Sequence, residues 1–193
     1  MELDNTTYND LSVFQHEEEF SIFHRLNFTR TSQGREWLLK FFGSPFKDIR
    51  HIQDTQKIIR AIQAQIDRWP ADISNGTLMV IEKFYDSSID GIPDANLLNA
   101  ISYKVFHAPD FSLVRYSISH FADFLRGMHL LIGLLDNDEA PLMLRPFLRR
   151  AADLMKKPGL TELSQHTKGR EFTMIQTIHY GKHVREVFKN TDF

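Results

Sequence analysis

The stretch DIRHIQDTQKIIRAIQAQIDRWP, residues 48–70, decides the fold class. Its apolar residues recur at steps of three, four or seven positions: Ile49, Ile52, Ile59, Ile62, Ile66 and Trp69. Because an α-helix has about 3.6 residues per turn, this spacing places all six on one face. The stretch therefore predicts one helix of about six turns, which Asp48 caps at its start and Pro70 ends.

The same periodicity continues along the chain, whereas alternation typical of β-strands never persists. Further helices are predicted over residues 77–86, 94–106, 112–135, 141–156 and 160–188. Asp94 is expected to cap the helix at 94–106. HAPD at 107–110 is expected to separate that helix from the next. The last helical stretch is expected to be interrupted near Lys168-Gly169. The predicted fold is all-α, a single domain built as a multi-helix bundle with long antiparallel helices.

Composition excludes several classes of protein. The 193 residues include no Cys, so disulfides, thiolate metal sites and cysteine catalysis are ruled out. The net charge of −2 gives no global attraction to nucleic acid or to an acidic membrane. No basic-then-apolar segment opens the sequence, and the most apolar stretch, 124–135, is too short to span a bilayer. We expect a cytoplasmic protein with no membrane partner.

Charge is distributed unevenly. Residues 1–20 contain six acidic and no basic residues, whereas residues 141–170 contain seven basic and two acidic residues. Such asymmetry can mark a nucleic-acid face. The candidate contacts to DNA phosphates are Arg145, Arg149, Arg150, Lys156 and Lys157. The alternative is a solvated helix face, or a surface that pairs with the acidic start of the chain.

Motifs for chemistry are lacking. Neither G-x-x-x-x-G-K-[ST] nor G-x-G-x-x-G occurs, so this chain is expected to bind no nucleotide and to carry no catalytic residue or cofactor of its own. His179 and His183 have the i, i+4 spacing of metal ligands on a helix. The sequence places no third ligand beside them, and solvated or core-edge histidines are the alternative.

An ordered set of short elements occupies the first 65 residues. It begins with Leu3-Asp4, Thr6 and Asp10-Leu11, and an apolar run later closes on Leu26-Asn27. Thr29, Thr31, Gly34 and Arg35 follow, and then Leu38, Pro45, Asp48, Ile52 and Gln56. In order and spacing this resembles the start of the core-and-lever domain of the MutS family of DNA mismatch-repair ATPases.

The resemblance implies a non-catalytic helical domain, with a motif-bearing core part at 1–70 and shortened lever helices at 94–189. The parent protein would carry an ATPase domain after this region, using ATP and Mg²⁺. The partners would be that ATPase domain, double-stranded DNA, and a second copy of the parent protein bound through the ATPase domain. The region from Asn96 to Leu160 is short for full levers and a DNA clamp, so the resemblance does not extend to mismatch recognition.

The motif also has an interpretation based on the residues themselves. Thr29 and Thr31 can bind backbone groups where the chain enters a helix, and Gly34 permits close packing against another backbone. Pro45 ends that helix and Asp48 caps the next. Together with Arg35, these residues are predicted to fix a junction between helices.

Two other functions stay open. One is a helical protein–protein interaction module with no role on DNA. The other is a helical-bundle enzyme or metal protein that uses His179 and His183.

Overall fold

The fold is all-helical, as the sequence predicts. The computed structural model describes residues 21–44, 46–89, 91–137 and 140–189. Within these ranges it contains nine α-helices and no β-strand. They are α1 (Ile22–Leu26), α2 (Ser32–Gly43), α3 (Ile49–Gln63), α4 (Asn75–Asp86), α5 (Leu97–Phe106), α6 (Ala108–Leu135), α7 (Arg145–Met155), α8 (Leu160–Ser164) and α9 (Met174–Lys189).

The chain separates into two compact units, and the division falls between Ile59 and Arg60. The sequence predicts a single domain over 1–193, with a motif-bearing part at 1–70. The division instead falls inside that part and within α3. Nothing in the periodicity of residues 48–70 marks this position, because the helix continues through it.

In the described part of the first unit, a buried aromatic ring joins two helices. Phe23 in α1 is buried and meets the ring of Phe42 in α2 edge to face, with centroids 5.9 Å apart. The guanidinium carbon of Arg35 lies 5.4 Å from the centroid of the same ring. The aromatic pair and the cation–π contact hold α1 and α2 together.

The second unit is built around α6, which is 28 residues long. Val114, Ile118, Phe121 and Leu125 recur at helical spacing and are each at most 1% exposed. Helices α4, α5, α7, α8 and α9 all pack on α6. Burial of this apolar stripe therefore provides the main core of the unit.

A smaller core lies at the C-terminal end of α6. Leu134 and Leu135 are buried there with Leu148 of α7, and Ile62 packs against them. Ile62 is thus the residue of the predicted apolar stripe that joins a core.

Gly181 permits a close approach between α9 and α6 in the second unit. A Cβ at Gly181 of α9 would overlap Cγ1 of Val114, which is fully buried in α6. The backbone of α9 therefore lies directly on the side chain of Val114. Only glycine permits this distance.

Arg185 of α9 closes the C-terminal end of α4. Its Nη1 donates to the carbonyl oxygen of Phe84 at 3.1 Å, and its Nη2 donates to that of Ser87 at 2.7 Å. The guanidinium also lies 5.4 Å from the centroid of the Phe84 ring. A cation here satisfies carbonyl groups that lack helical partners and complements the negative end of the helix dipole.

The helix predicted to reach Trp69 ends earlier. Helix α3 stops at Gln63, and a 3-10 turn follows over Ile66–Arg68. Trp69 is extended, with φ −61° and ψ 132°, because a residue before proline is displaced from the helical region. The predicted stripe is also largely solvent-exposed, with Ile49 at 71% and Ile66 at 61%.

The predicted cap of α5 is wrong. The side chain of Asn96, not Asp94, accepts the hydrogen bond from the Asn99 N–H. Asp94 instead lies 2.6 Å from Nζ of Lys182. Asn and Asp cap helices about equally well, so sequence alone does not choose between them.

Two helix starts also differ from prediction. Helix α6 begins at Ala108, so Pro109 lies in its first turn instead of breaking the chain. Proline fits there because the first N–H groups of a helix have no partner inside it. Helix α7 begins at Arg145, not Pro141.

The predicted interruption near Gly169 is confirmed, since Gly169 has φ +81° in the loop between α8 and α9.

We predict that Gly181→Ala destabilises the second unit by about 1–3 kcal/mol, because the added methyl overpacks against Val114. Gly133→Ala is the matched control, since a Cβ at that position of α6 meets no atom within 4 Å. Both changes replace a glycine within a helix by alanine, which gains up to about 1 kcal/mol of helix propensity. Urea denaturation followed by circular dichroism measures the difference. Equal midpoints for the two variants would contradict the close approach.

Candidate functional site

A cleft of about 540 Å³ lies in the second unit. Its walls are the end of α5, the first half of α6 and the loop between α8 and α9. Three basic side chains line it, Lys104, Arg115 and Arg170, together with one acidic side chain, Glu171. The lining thus has a net charge of +2, which favours an anionic ligand.

Helix α6 contributes a polar stripe to the cleft. Ser112, Arg115, Tyr116 and Ser119 are spaced i, i+3, i+4 and i+7 and all line it. This spacing places them on one side of α6. The side chain of Arg115 is 39% exposed, and the other three residues are exposed. Hydroxyl groups and a guanidinium therefore point from one rigid helix toward solvent.

Aromatic side chains add an apolar part to the lining. Phe111 of α6 and Phe172 of the loop both line the cleft and are buried. Tyr116 also lines it but is 56% exposed. The cleft therefore offers apolar surface beneath charged and hydroxyl groups, a combination suited to an organic anion.

The loop that carries Arg170 is held from its inner side. The Nε2 of His166 lies 2.9 Å from the carbonyl oxygen of Arg170 and donates to it. The His166 ring stacks on Phe172 at a centroid distance of 3.8 Å. Arg126 of α6 donates in turn to the His166 carbonyl oxygen at 2.8 Å. These contacts fix the backbone of Arg170 and leave its side chain at the edge of the cleft.

A salt bridge holds the other side of the loop. The Nζ of Lys168 lies 2.5 Å from Oδ1 of Asp72. This hydrogen bond and the negative charge of Asp72 raise the pKa of Lys168. Lys168 is therefore engaged with Asp72, which leaves Arg170 as the basic residue that the loop contributes to the cleft.

Arg115 and Glu171 form an ion pair across the cleft, with Nη2 and Oε2 2.5 Å apart. The Glu171 side chain is 85% exposed. Exposed pairs of this kind are strongly screened by water and contribute little to stability. A competing anion can therefore replace Glu171 at Arg115 at small cost.

The predicted motif residues lie together where α2 begins. Thr31 caps the helix, since its Oγ1 accepts the hydrogen bond from the Gly34 N–H at 3.0 Å. The hydroxyl of Thr29 donates to Oδ1 of Asn27 at 2.6 Å, a side-chain partner instead of the predicted backbone group. A Cβ at Gly34 would lie 2.9 Å from Thr31 Oγ1, so the close approach is to the capping side chain and not to another backbone.

Two other motif residues, Pro45 and Asp48, belong to the segment between α2 and α3. Asp48 caps α3, because its Oδ1 accepts hydrogen bonds from the backbone N–H groups of Arg50 and His51 at 2.7 and 3.1 Å. Hydrogen bonds from the His51 side chain and backbone lower the pKa of Asp48. Pro45 lies outside the described residues.

The basic residues predicted to contact DNA do not form one surface of equivalent groups. Arg145 is half-buried, and its Nε donates to the Ala140 carbonyl oxygen at 3.0 Å. Lys156 lies 3.0 Å from Asp153. Arg149, Arg150 and Lys157 are exposed.

His179 and His183 stack on each other, with ring centroids 6.0 Å apart. The Nε2 of His183 donates to the carbonyl oxygen of Pro158, so this nitrogen is already engaged. Gly159, with φ +81°, lies directly against the His183 ring. Across the part of the chain that the structure describes, no group of three or more His, Cys, Asp or Glu residues is placed to hold a metal ion.

Comparisons with family models, curated proteins and solved structures found no match for this chain. Within the described ranges, no helix is both long and apolar enough to cross a membrane. Function is therefore inferred from the residues and their geometry.

The sequence contains a signal for one side of the cleft, although no site is predicted there. Ser112, Arg115, Tyr116 and Ser119 recur at one-turn spacing along one side of α6. Lys104 and Arg170 carry no such signal, because the tertiary packing of three separate elements brings them to the same place.

We predict that Thr31→Ala destabilises the first unit by about 0.5–2 kcal/mol, because the Gly34 N–H loses its acceptor. Thr31→Ser keeps the hydroxyl and serves as the control. Thermal unfolding measures stability, and hydrogen exchange at the Gly34 amide reports the cap directly. If the alanine variant protects that amide as well as the serine variant does, the cap contributes nothing.

Proposed function

We propose that this chain is the non-catalytic helical core of a cytoplasmic, MutS-like DNA-dependent ATPase. In this role it couples an ATPase module later in the same protein to engagement of double-stranded DNA. ATP and Mg²⁺ belong to that module, and so does the contact that would form a homodimer. The chain itself contributes helical support and a DNA-facing surface.

The junction at the start of α2 is the observation that supports this proposal. Thr31 and Gly34 share one capping hydrogen bond, and Arg35 lies over the ring of Phe23. Three residues of the motif that resembles MutS therefore take part in one structural unit. Their spacing has a physical reason, which is the connection of α1 to α2.

Helix α6 suits a coupling role. Its 28 residues extend for about 42 Å at about 1.5 Å per residue. Among the described residues, five helices pack on it, and its first half lines the cationic cleft. A long, packed helix moves as a rigid body and can carry a displacement from one end to the other.

A protein–protein interaction module is the second candidate function. The apolar face of α3 favours it, since Ile49, Ile52 and Ile59 are 71%, 41% and 49% exposed. Exposed apolar residues that recur on one helix face are typical of surfaces that bind another protein. Affinity for DNA separates this function from the first.

We predict that the chain binds duplex DNA weakly and without sequence preference, with a dissociation constant of about 10⁻⁴ to 10⁻⁶ M at physiological salt. Phosphate contacts dominate such binding, so affinity falls as salt rises. Fluorescence anisotropy of a labelled duplex between about 50 and 200 mM salt measures this. A chain that leaves the anisotropy unchanged at the lowest salt is no DNA-facing domain, and the interaction module would then be favoured.

We also predict that the chain alone binds no ATP, because it contains no phosphate-binding loop. Isothermal titration of the folded chain with ATP and Mg²⁺ tests this. Micromolar ATP binding would overturn the assignment as a non-catalytic domain.

A further inference from the structure

We propose that the cleft between α5, α6 and the α8–α9 loop binds backbone phosphates of DNA, in place of the basic segment around α7. This inference rests on the proposed function, since it names the surface that meets DNA. The ligand class is a phosphodiester anion flanked by sugar and base. The residues that bind it are Lys104, Arg115 and Arg170.

Positive charges from three elements converge on the cleft. Lys104 comes from α5, Arg115 from α6 and Arg170 from the loop, and all three line the same cleft. Charges held by separate packed elements stay close together, whereas charges along one exposed helix diverge around its axis. The cleft therefore concentrates positive potential at one place.

Helix α6 provides hydrogen-bond donors beside these charges. Ser112 and Ser119 lie about one turn on either side of Arg115, and both line the cleft. Serine hydroxyls and guanidinium groups are common donors to phosphate oxygens. A phosphate at Arg115 can accept from the guanidinium and from a neighbouring hydroxyl without rearrangement of the helix.

Tyr116 gives the site a preference for nucleic acid over a simple anion. It is exposed beside Arg115 on the same stripe and lines the cleft. An exposed aromatic ring next to a phosphate-binding cation can stack on a base or pack against a sugar. The pairing of phosphate donors with an aromatic ring suits a phosphodiester of the DNA backbone together with its neighbouring sugar or base.

Glu171 acts as an internal competitor for the same cation. Its Oε2 lies 2.5 Å from Nη2 of Arg115, but its side chain is 85% exposed. A phosphodiester replaces this carboxylate, which then turns to solvent. Loss of the Glu171 charge should therefore strengthen binding.

The α7 segment is the weaker candidate for the same role. Arg145 is engaged with the Ala140 carbonyl oxygen, and Arg149 and Arg150 lie about 100° apart around the axis of α7, so their charges diverge. Arg149 and Arg150 are exposed there, so they provide a matched control.

The test compares two double charge reversals in the 193-residue chain. Arg115→Glu/Arg170→Glu changes the cleft, and Arg149→Glu/Arg150→Glu changes α7 by the same net charge. With a labelled duplex at low salt, we expect the cleft variant to lose at least about tenfold in affinity and the α7 variant less than about twofold. The slope of log affinity against log salt should fall by about two for the cleft variant, because each arginine that no longer binds a phosphate lowers it by about one.

Two further single variants distinguish a loss of DNA binding from a loss of folding. Arg170→Glu alone changes an exposed loop residue, and it should weaken binding while the thermal midpoint stays at the wild-type value. Glu171→Gln should bind the duplex more tightly than wild type. A loss of affinity in Glu171→Gln would contradict the competitor role and the site with it.

The outcomes separate this inference from the proposed function. If wild type binds DNA and the α7 variant, not the cleft variant, loses affinity, the cleft is wrong and the proposed function stands. If wild type binds no DNA at low salt, both fail. If AMP displaces the duplex at a concentration below that of the duplex phosphates, the site takes a free nucleotide and the backbone assignment is overturned.

Discussion

The contact of Gly181 with Val114 is the constraint on which the second unit depends. It brings the backbone of α9 onto α6 at the point where Val114 is fully buried. This approach places Ile178 and Val184 of α9 in the core and sets Arg185 at the end of α4. A larger residue at 181 would push α9 outward, and the distances from α9 to α6 and α4 would lengthen together, because packed interiors deform little.

Arginine side chains donate hydrogen bonds to carbonyl groups that have no partner within a helix. Arg185 donates to two carbonyl groups at the end of α4. Arg126 donates to His166 just after α8, and Arg145 donates to Ala140 before α7. Buried backbone acceptors without partners are costly. In this protein part of the basic charge therefore supports the fold, and a count of basic residues along the sequence overstates what is available to a ligand.

Periodicity predicted the parts of the structure that depend on local geometry. The all-helical class and the caps at Thr31 and Asp48 follow from spacing and side-chain chemistry. Features that depend on tertiary packing could not be predicted. The stripe of α3 looks like a core face yet remains largely exposed, and the division at Ile59 leaves no mark in the pattern. Along the sequence, Arg115 follows Lys104 by 11 residues and Arg170 follows Arg115 by 55 residues, so only the fold brings the three together.

The two cores along α6 differ greatly in size. The main core covers the helix from Phe111 to Leu125, whereas the core at its C-terminal end contains Leu134, Leu135 and Leu148. Local opening costs less where fewer apolar groups are buried. One continuous helix therefore spans two levels of local stability. A displacement can pass along α6 only while this small core stays packed, so Leu134, Leu135 and Leu148 decide whether the two ends of the helix move together.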